Sequence, residues 1–391
     1  MNFGLTDTQQ TLKKTTRQFL AAECPSAEVR RLMDASGAFD AGLWQKMAEQ
    51  GWTGIIFPEE YGGSGMGMVE MAAVLEEMGR ALLPGPFLST VLLAGSAIAY
   101  AGNEAQKQQY LKAICSGEAK ATLAILEESA CWSTDSVHLH ASFAAGGYVL
   151  QGRKLFVPDA GVADFLICAA RLGGALALFI VPAGTHGVNI KETPAMDSTR
   201  RLYEVIFDSV AVPEESLLAR GDRAEETLEQ AFAVSTVGLV AEMVGGMQRL
   251  LDITVEYAKT RKQFGRPIGQ FQAVQHMCAD MLLMTESSRS AVYYAAWAMS
   301  EDGPAEHSAA LTAVSVAKAY TSDAYREVGN RAIQVHGGMG FTWENDVHLY
   351  YRRAKASEIA FGDATWHRER LAKRVIDRQP VKLENEVAAV V

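Results

Sequence analysis

The sequence contains few cysteines, and none of them forms a CxxC pair. There are five in 391 residues, an odd number, and they are scattered along the chain. A secreted protein held together by disulfides usually carries an even number at regular spacing. The first residues, MNFGLTDTQQ, also lack the basic and then apolar stretch of a signal peptide. We therefore expect a cytoplasmic protein.

Long runs of one residue type are also lacking. The most apolar stretch, residues 91–101, is about half as long as a membrane-spanning helix. No basic run occurs and the net charge is −10, which argues against a nucleic-acid partner. No group of His, Cys and carboxylates has metal-ligand spacing. We therefore expect no membrane, nucleic-acid or metal ligand.

Apolar residues make up 49% of the sequence, enough for more than one domain. Up to about residue 117 they recur every three or four positions, which predicts helices. Short alternating runs such as FLICAA and LALFIVP then predict strands, and helical spacing returns near residue 225. The order predicts an α+β multidomain fold with domains at residues 1–120, 121–224 and 225–378. Residues 379–391 are predicted to be a loose tail.

The first candidate motif, YAKTRKQFGRPIG, lies at residues 257–269, where a long predicted helix ends. Arg261 offers a planar cationic fork suited to a diphosphate. Gln263 can donate and accept hydrogen bonds, and Phe264 offers a flat ring. From these residues alone, a helix C-terminus with cations that complement its dipole is the commoner explanation.

The second motif, QVHGGMGFT, covers residues 334–342 and follows another predicted helix. Its glycines allow backbone N–H groups to approach an anion closely. It is neither GxGxxG nor a Walker A sequence, so it specifies no nucleotide by itself. A glycine helix stop is an equally good explanation.

The third candidate is Asp363, which follows Gly362 in an apolar stretch. A carboxylate in such surroundings can have a raised pKa and act as a base. A cap for the following helix is the commoner role of an aspartate at this point. Three further features are weaker candidates, and a structural role is the commoner one for each. Glu242 could be a second carboxylate of the site, but a paired carboxylate or one at the edge of the apolar stripe is commoner. Arg200 and Arg201 could reach a phosphate or form a surface turn, and His336 could be a base or a hydrogen-bonded structural histidine.

Taken together, these segments resemble the acyl-CoA dehydrogenase family over nearly the whole chain. The resemblance also rests on GWTG at residues 51–54, FPEEYGG at 57–63 and YVLQGRKLF at 148–156. It implies an N-terminal all-α domain, a central β-barrel-like domain and a C-terminal four-helix bundle. It also implies FAD as the cofactor and a homotetramer built as a dimer of dimers, or a heterotetramer.

The resemblance further implies site residues. Arg261, Gln263 and Phe264 would contact the FAD of one subunit. Gln334, Gly337 and Gly338 would receive the diphosphate of the FAD held by a partner. Gln272 and Thr365 would make lesser contacts, and the isoalloxazine ring would lie near Phe156 and Val157.

The implied reaction is the α,β-desaturation of an acyl-CoA thioester, as in the β-oxidation of lipids. Asp363 would remove the α proton while the β hydride passes to flavin N5, which yields a 2-enoyl-CoA. Donors at the thioester oxygen would stabilise the developing charge, as in an oxyanion hole. An electron-transfer flavoprotein would then accept the electrons.

The sequence departs from the family pattern at three places. The usual base is Glu, at this point or on the long helix, where the sequence has about Ser235 and then Thr236. The usual Thr-Glu-Pro-x-x-Gly-Ser reads LEESACW at residues 126–132, and the usual Ile-Thr-Asn reads VPD at 157–159. Two alternatives therefore stay open. One is a flavin oxidase of the same superfamily, acting on acyl-CoA or resembling nitroalkane oxidase, and the other is a mainly structural subunit of a heteromeric dehydrogenase.

Overall fold

The computed structural model describes residues 4–144, 146–300 and 307–376, and its first part is helical. Helix α1 begins after Thr6, whose side chain forms a capping box with Gln9. Helix α4 is almost wholly buried and forms the centre of this part. The helices here are α1 (Asp7–Glu23), α2 (Ser26–Asp34), α3 (Ala41–Glu49), α4 (Met68–Arg80), α5 (Ser96–Ala101), α6 (Glu104–Gln106) and α7 (Lys112–Cys115), with wider π-helical turns at Leu88–Gly95 and Lys107–Leu111.

The strands that follow form one sheet with the order β6-β7-β3-β2-β4-β5-β8, in which β1 pairs with β4. They are β1 (Ala121–Ala124), β2 (His140–Ala144), β3 (Gly147–Pro158), β4 (Phe165–Leu172), β5 (Ala175–Pro182), β6 (Val188–Thr193), β7 (Leu202–Pro213) and β8 (Leu217–Arg220). The pairs of β4 with β1 and β2 are parallel and the others are antiparallel.

The sheet curls around a core of its own. The rings of Tyr148 on β3 and Phe179 on β5 lie 5.0 Å apart, although two strands separate them in the sheet. Neighbouring strands are about 4.8 Å apart, so a flat sheet could not bring these rings together. Within the described residues β6 and β8 do not pair with each other. The predicted β-barrel-like domain is thus a strongly curled sheet that is not closed by hydrogen bonds.

Helices return after β8, as predicted, and the α+β fold class is confirmed. Helices α8 (Asp222–Thr260), α9 (Gln272–Ala298), α10 (His307–His336), α11 (Val347–Ile359) and α12 (Ala364–Ile376) form this part, with a short hairpin of β9 (Lys262–Gln263) and β10 (Arg266–Pro267) between α8 and α9. By length and composition alone α8 could cross a membrane, but 83% of its most apolar window is buried, as expected for a core helix. The predicted tail at residues 379–391 lies outside the described residues.

Helices α4 and α8 cross at unusually close range through two glycines. A Cβ atom at Gly79 would lie 1.9 Å from the carbonyl oxygen of Glu242, and one at Gly245 would lie 1.7 Å from that of Glu76. Real Cβ atoms do not approach so closely. The crossing therefore requires glycine on both helices, and it fixes α8 against the N-terminal part of the chain.

A buried polar cluster joins the sheet to the helices. Arg353 on α11 donates to the carboxylate of Asp197 at 2.8 Å, and both side chains are buried. Arg200 pairs with Glu242 on α8. The prediction of a surface turn for Arg200 is therefore wrong, because its guanidinium is held by a carboxylate of the long helix. The prediction of a paired Glu242 is confirmed.

Asp159 belongs to the same region and gives a pH-dependent prediction. Its carboxyl group accepts a hydrogen bond from Ser89 at 2.6 Å, and burial raises its pKa from 3.8 to about 6. Folding therefore favours the neutral form, and the contribution of Asp159 to stability falls as pH rises through 6. Asp159→Asn keeps the acceptor and removes the ionisation. We expect it to raise the free energy of unfolding by up to about 3 kcal/mol well above pH 6, with the difference vanishing well below pH 3.8. Chemical unfolding at several pH values measures this, and a difference that does not change with pH would contradict it.

Candidate functional site

A two-residue hairpin follows directly on the end of α8. Arg266 pairs with Gln263, and the turn residues Phe264 and Gly265 have φ of 52° and 78°. Positive φ at both positions is typical of the tight hairpin turn whose twist matches that of its strands. The phenyl ring of Phe264 is 91% exposed. The turn thus presents a flat apolar ring at the tip of the hairpin.

Arg261 and Gln263 are both exposed beside this ring. Arg261 ends α8, and its backbone N–H donates to the carbonyl of Tyr257 at 2.8 Å. Among the described residues, neither side chain has a hydrogen-bond or ion-pair partner. Gln272, the first residue of α9, is also exposed and follows the same hairpin. A planar cation and an amide are therefore available to a ligand here.

The glycine segment lies at the end of α10. Gly337 has φ of 60° and begins a tight helical turn, Gly337–Phe341. Gln334, Gly337 and Gly338 are exposed, and a Cβ atom on either glycine would meet nothing within 4 Å. The backbone is therefore open to close approach by a ligand, as the motif predicts.

Tyr257 and His336 bring the two segments together. Their rings stack at 4.3 Å, which joins the end of α8 to the end of α10. His336 Nδ1 donates to the carbonyl of Ala332 at 2.8 Å, and burial lowers the pKa of the ring. His336 is thus a neutral structural histidine, as predicted. The exposed set formed by Arg261, Gln263, Phe264, Gln334, Gly337 and Gly338 is called the bundle-end face below.

The residues of the bundle-end face are predicted to contact two different flavins. Arg261, Gln263 and Phe264 are assigned to one flavin, and the glycine segment is assigned to another. The structure places both groups at the same end of the same helices. The two groups therefore lie near the same ring pair, and their assignment to two different flavins stays a prediction.

Asp363 lies elsewhere, at the start of α12. Its carboxylate accepts a hydrogen bond from the backbone N–H of Trp366 at 2.8 Å, so it caps the helix. The carboxylate is exposed, and Thr365 in the first turn is exposed as well. The apolar stretch of sequence around Asp363 therefore does not bury its carboxylate in this chain. The neighbouring Phe361 and Gly362 occupy the buried positions instead.

Three aromatic side chains, Trp132, Phe232 and Phe361, meet beside this turn and are called the aromatic cluster below. The ring of Trp132 lies 5.3 Å from that of Phe232 and 5.4 Å from that of Phe361. The third pair is 6.1 Å apart. The cavity that they line with Thr236 has a volume of about 20 Å³. This volume holds about one water molecule.

The titratable groups around this cavity are all engaged. Glu229, the one carboxylate among its lining residues, is bound by Arg370 at 2.9 Å and by Arg374 at 3.1 Å. His367 donates from Nε2 to the carbonyl of Phe361 at 3.0 Å. Burial and the nearby Lys318 lower the pKa of His367 to about 3, so it is a poor proton acceptor near neutral pH. The lining thus presents no free carboxylate.

The two strand residues predicted beside the isoalloxazine ring, Phe156 and Val157, differ in their exposure. Phe156 has φ of 53°, lies in a bulge of β3 and is exposed. Val157 is only 1% exposed, and its side chain packs in the core of the sheet. Only the backbone of Val157 could therefore reach a ligand, and the position of the isoalloxazine ring near these two residues stays a prediction. Pro158 follows and has no N–H to donate.

Comparison with known proteins identifies the fold family. Residues 6–118 match the family profile described as acyl-CoA dehydrogenase, N-terminal domain, and residues 226–376 match acyl-CoA dehydrogenase, C-terminal domain. The matched segments carry α1 to α7 and α8 to α12. This chain belongs to the acyl-CoA dehydrogenase family.

Individual proteins resemble this chain over nearly its full length. The probable acyl-CoA dehydrogenase YngJ of Bacillus subtilis is 32% identical over 387 residues, which cover 96% of this chain and 100% of that protein. The butyryl-CoA dehydrogenase structure from Megasphaera elsdenii has a TM-score of 0.88, 28% identity and coverage of 96% and 100%. A structure of PigA with FAD and proline has a TM-score of 0.87, 25% identity and coverage of 96% and 99%.

The aromatic cluster is the feature of this acyl-CoA dehydrogenase that sequence reasoning missed. The altered segment at residues 126–132 ends in Trp132, and Thr236 matches a family position near the alternative base. Both now line one cavity with Phe361. The sequence signal that could have indicated the aromatic cluster was Trp132, the bulky residue at the end of the altered segment. In the described ranges, no three His, Cys, Asp or Glu side chains are placed to bind one metal ion.

Proposed function

We propose that this chain binds FAD through its bundle-end face and works in the α,β-desaturation of an acyl-CoA thioester. The carrying observation is the exposed guanidinium of Arg261, which has no partner among the described residues and lies at the same end of the bundle as the Gly337–Gly338 backbone. Family membership supports the reaction class, and the butyryl-CoA dehydrogenase and PigA structures support the thioester and the flavin respectively.

The residues of the bundle-end face fit a dinucleotide. Arg261 provides a bidentate fork for a diphosphate oxygen pair. The open backbone at Gly337 and Gly338 allows close approach of the same anion. The exposed ring of Phe264 can stack on a flat heterocycle. When bound, FAD supplies the hydride acceptor of the reaction.

The desaturation also needs a carboxylate to take the α proton of the thioester. Asp363 of this chain is the predicted base, and a carboxylate of another chain is the alternative. Asp363→Asn distinguishes them because Asn also caps helices, so the fold of α12 is kept. Loss of substrate-dependent bleaching with retained flavin colour supports Asp363, and an unchanged rate excludes it.

The electrons leave the site after each turnover, and we propose an electron-transfer flavoprotein as their acceptor. The oxidase alternative predicts a different acceptor. Substrate-reduced protein mixed with air would then reoxidise rapidly and release hydrogen peroxide. Slow reoxidation in air and fast reoxidation by an electron-transfer flavoprotein would support the dehydrogenase.

Arg261→Ala tests the bundle-end face directly. The variant loses charge-assisted hydrogen bonds worth roughly 1.5–3 kcal/mol, so we expect FAD affinity to fall about 10- to 100-fold. Flavin fluorescence in an equilibrium titration of the apoprotein, in the assembly in which it binds FAD, measures this. Lys262→Ala is the matched control, because Lys262 is an equally exposed cation on the same hairpin. Equal losses in the two variants would show that only net charge matters and would contradict a specific role for Arg261.

A further inference from the structure

A cavity of about 390 Å³ lies where helices α1, α2, α4, α8 and α11 meet. It is called the elbow cavity below, because Cys24, Pro25 and Ser26 line it at the bend between α1 and α2. None of its lining residues belongs to the bundle-end face or to the aromatic cluster. The closed cavity beside the aromatic cluster holds about one water molecule. Small-molecule sites usually measure roughly 300–1,000 Å³, so the elbow cavity has room for an organic ligand.

The buried part of the elbow-cavity wall is apolar. Leu20 on α1, Val29 on α2 and Leu349 on α11 contribute to it, together with Leu82 just after α4. These four side chains are only 1–2% exposed. A wholly polar ligand would lose hydrogen bonds to water against this wall and gain none in return. The part of a ligand that lies here must therefore be apolar.

The carboxylates in the wall are already neutralised. Arg17 binds the carboxylate of Glu77 through two hydrogen bonds of 2.7 and 2.8 Å. Arg30, which lies outside the wall, pairs with Asp346 at 2.7 Å. Glu77 and Asp346 are the acidic residues that line the cavity. They leave no negative charge that would call for a cationic ligand.

The remaining arginines of the wall, Arg80 and Arg249, differ in their partners. Arg80 pairs with Asp252 at 2.7 Å. Arg249 is exposed, and its guanidinium lies beside the hydroxyl of Tyr350, which donates to the carbonyl of Arg80 at 2.6 Å. Among the described residues, no carboxylate forms an ion pair with Arg249. The elbow cavity therefore keeps one positive charge that no described side chain balances.

We propose that the elbow cavity binds a free carboxylic acid with an apolar body, whose carboxylate lies on Arg249 and whose chain or ring lies against the buried wall. One unbalanced guanidinium matches a monoanion, and its planar fork matches the two oxygens of a carboxylate. An acyl-CoA carries several phosphate charges that this cavity does not balance. The site is also separate from the proposed FAD site, because Arg249 lies about 18 Å before Arg261 along α8.

A calorimetric titration of the FAD-loaded protein with octanoate tests the ligand class. Octan-1-ol lacks the charge and inorganic phosphate lacks the apolar body, so both are titrated in parallel. Because octanoate alone can use both parts of the cavity, we expect it to bind at least ~10-fold more tightly than either.

Arg249→Gln tests the anion contact. The side chain is exposed, so the fold should be kept, and the loss of charge-assisted hydrogen bonds should weaken octanoate binding about 10- to 100-fold. Arg223→Gln is the matched control, because Arg223 is another exposed arginine of α8 that does not line the cavity. It should leave octanoate binding unchanged.

Ala21→Leu tests the cavity itself by filling it. Ala21 and Ala22 are both exposed residues of α1, but only Ala21 lines the elbow cavity. Leucine is nearly as good a helix former as alanine, so both substitutions should keep α1 intact. Ala21→Leu should weaken octanoate binding, and Ala22→Leu should not.

Equal octanoate affinities in the parent protein, Arg249→Gln and Ala21→Leu would overturn the inference, because octanoate would then bind elsewhere. Absence of octanoate binding would overturn it as well, and so would octan-1-ol or phosphate that binds as tightly as octanoate. FAD content and bleaching by acyl-CoA are measured in each variant and should stay unchanged. A loss of FAD from Arg249→Gln would show that the cavity belongs to the flavin site, which overturns the inference and leaves the proposed function standing.

Discussion

We expect Gly338→Asp to abolish FAD retention by the assembly that contains this chain. The new carboxylate would lie against the diphosphate on an open backbone, where like charges cost several kcal/mol. Affinity should therefore fall at least ~100-fold. The measurement is the FAD dissociation constant from flavin fluorescence, supported by the absorbance of the purified assembly.

The fold should tolerate this change. A Cβ atom at Gly338 meets nothing within 4 Å, so the side chain projects into solvent without a clash. Gly184→Asp is the matched control, since Gly184 is also exposed and unobstructed but lies after β5, away from the bundle-end face. Unaltered FAD affinity in a folded Gly338→Asp variant would show that the diphosphate does not lie on this turn.

Gly245→Ala is expected to produce the largest loss of stability. Its Cβ atom would lie 1.7 Å from the carbonyl oxygen of Glu76 and 2.7 Å from the backbone nitrogen of Arg80. Both obstacles belong to the backbone of α4, so no side chain can rotate away, and the two helices must separate. Overpacking in a tight core costs about 1–3 kcal/mol, and we expect at least the upper value here. The free energy of unfolding in denaturant measures the effect.

The control for this variant is Gly184→Ala, which adds the same methyl group where nothing lies within 4 Å. We expect it to leave the unfolding midpoint nearly unchanged. Similar unfolding midpoints for the two variants would show that α4 and α8 can move apart with little loss of stability. The position of α8 would then not depend on its contact with α4.

The fold was largely predictable because its elements are local. The spacing of apolar residues along α8 and the short alternating runs of β4 and β5 each indicate one kind of structure. The positions of the hairpin after Arg261 and of the glycine turn after His336 could also be predicted from the sequence, because both motifs mark the end of a helix. The curling of the sheet was implied only by the resemblance to the acyl-CoA dehydrogenase family.

The closed cavity could not be predicted from local patterns. Trp132, Phe232 and Phe361 are each about 100 residues or more from the next in sequence, and each is an ordinary aromatic residue in its own segment. Only the tertiary packing brings the three rings within contact distance. The engagement of Glu229 by Arg370 and Arg374 is long-range in the same way.

Asp363 shows why a residue's role depends on its surroundings. Its position before a helix predicted a cap, and the bond to the Trp366 N–H has that geometry. Its position after Gly362 and apolar residues suggested burial, but Phe361 points into the protein and Asp363 does not. The assignment of Asp363 as the catalytic base stays a prediction.

A structure of the FAD-loaded assembly tests the account most directly. We predict that the diphosphate lies within hydrogen-bonding distance of Arg261 and the Gly337–Gly338 backbone. A diphosphate bound away from both Arg261 and the Gly337–Gly338 backbone would contradict the account.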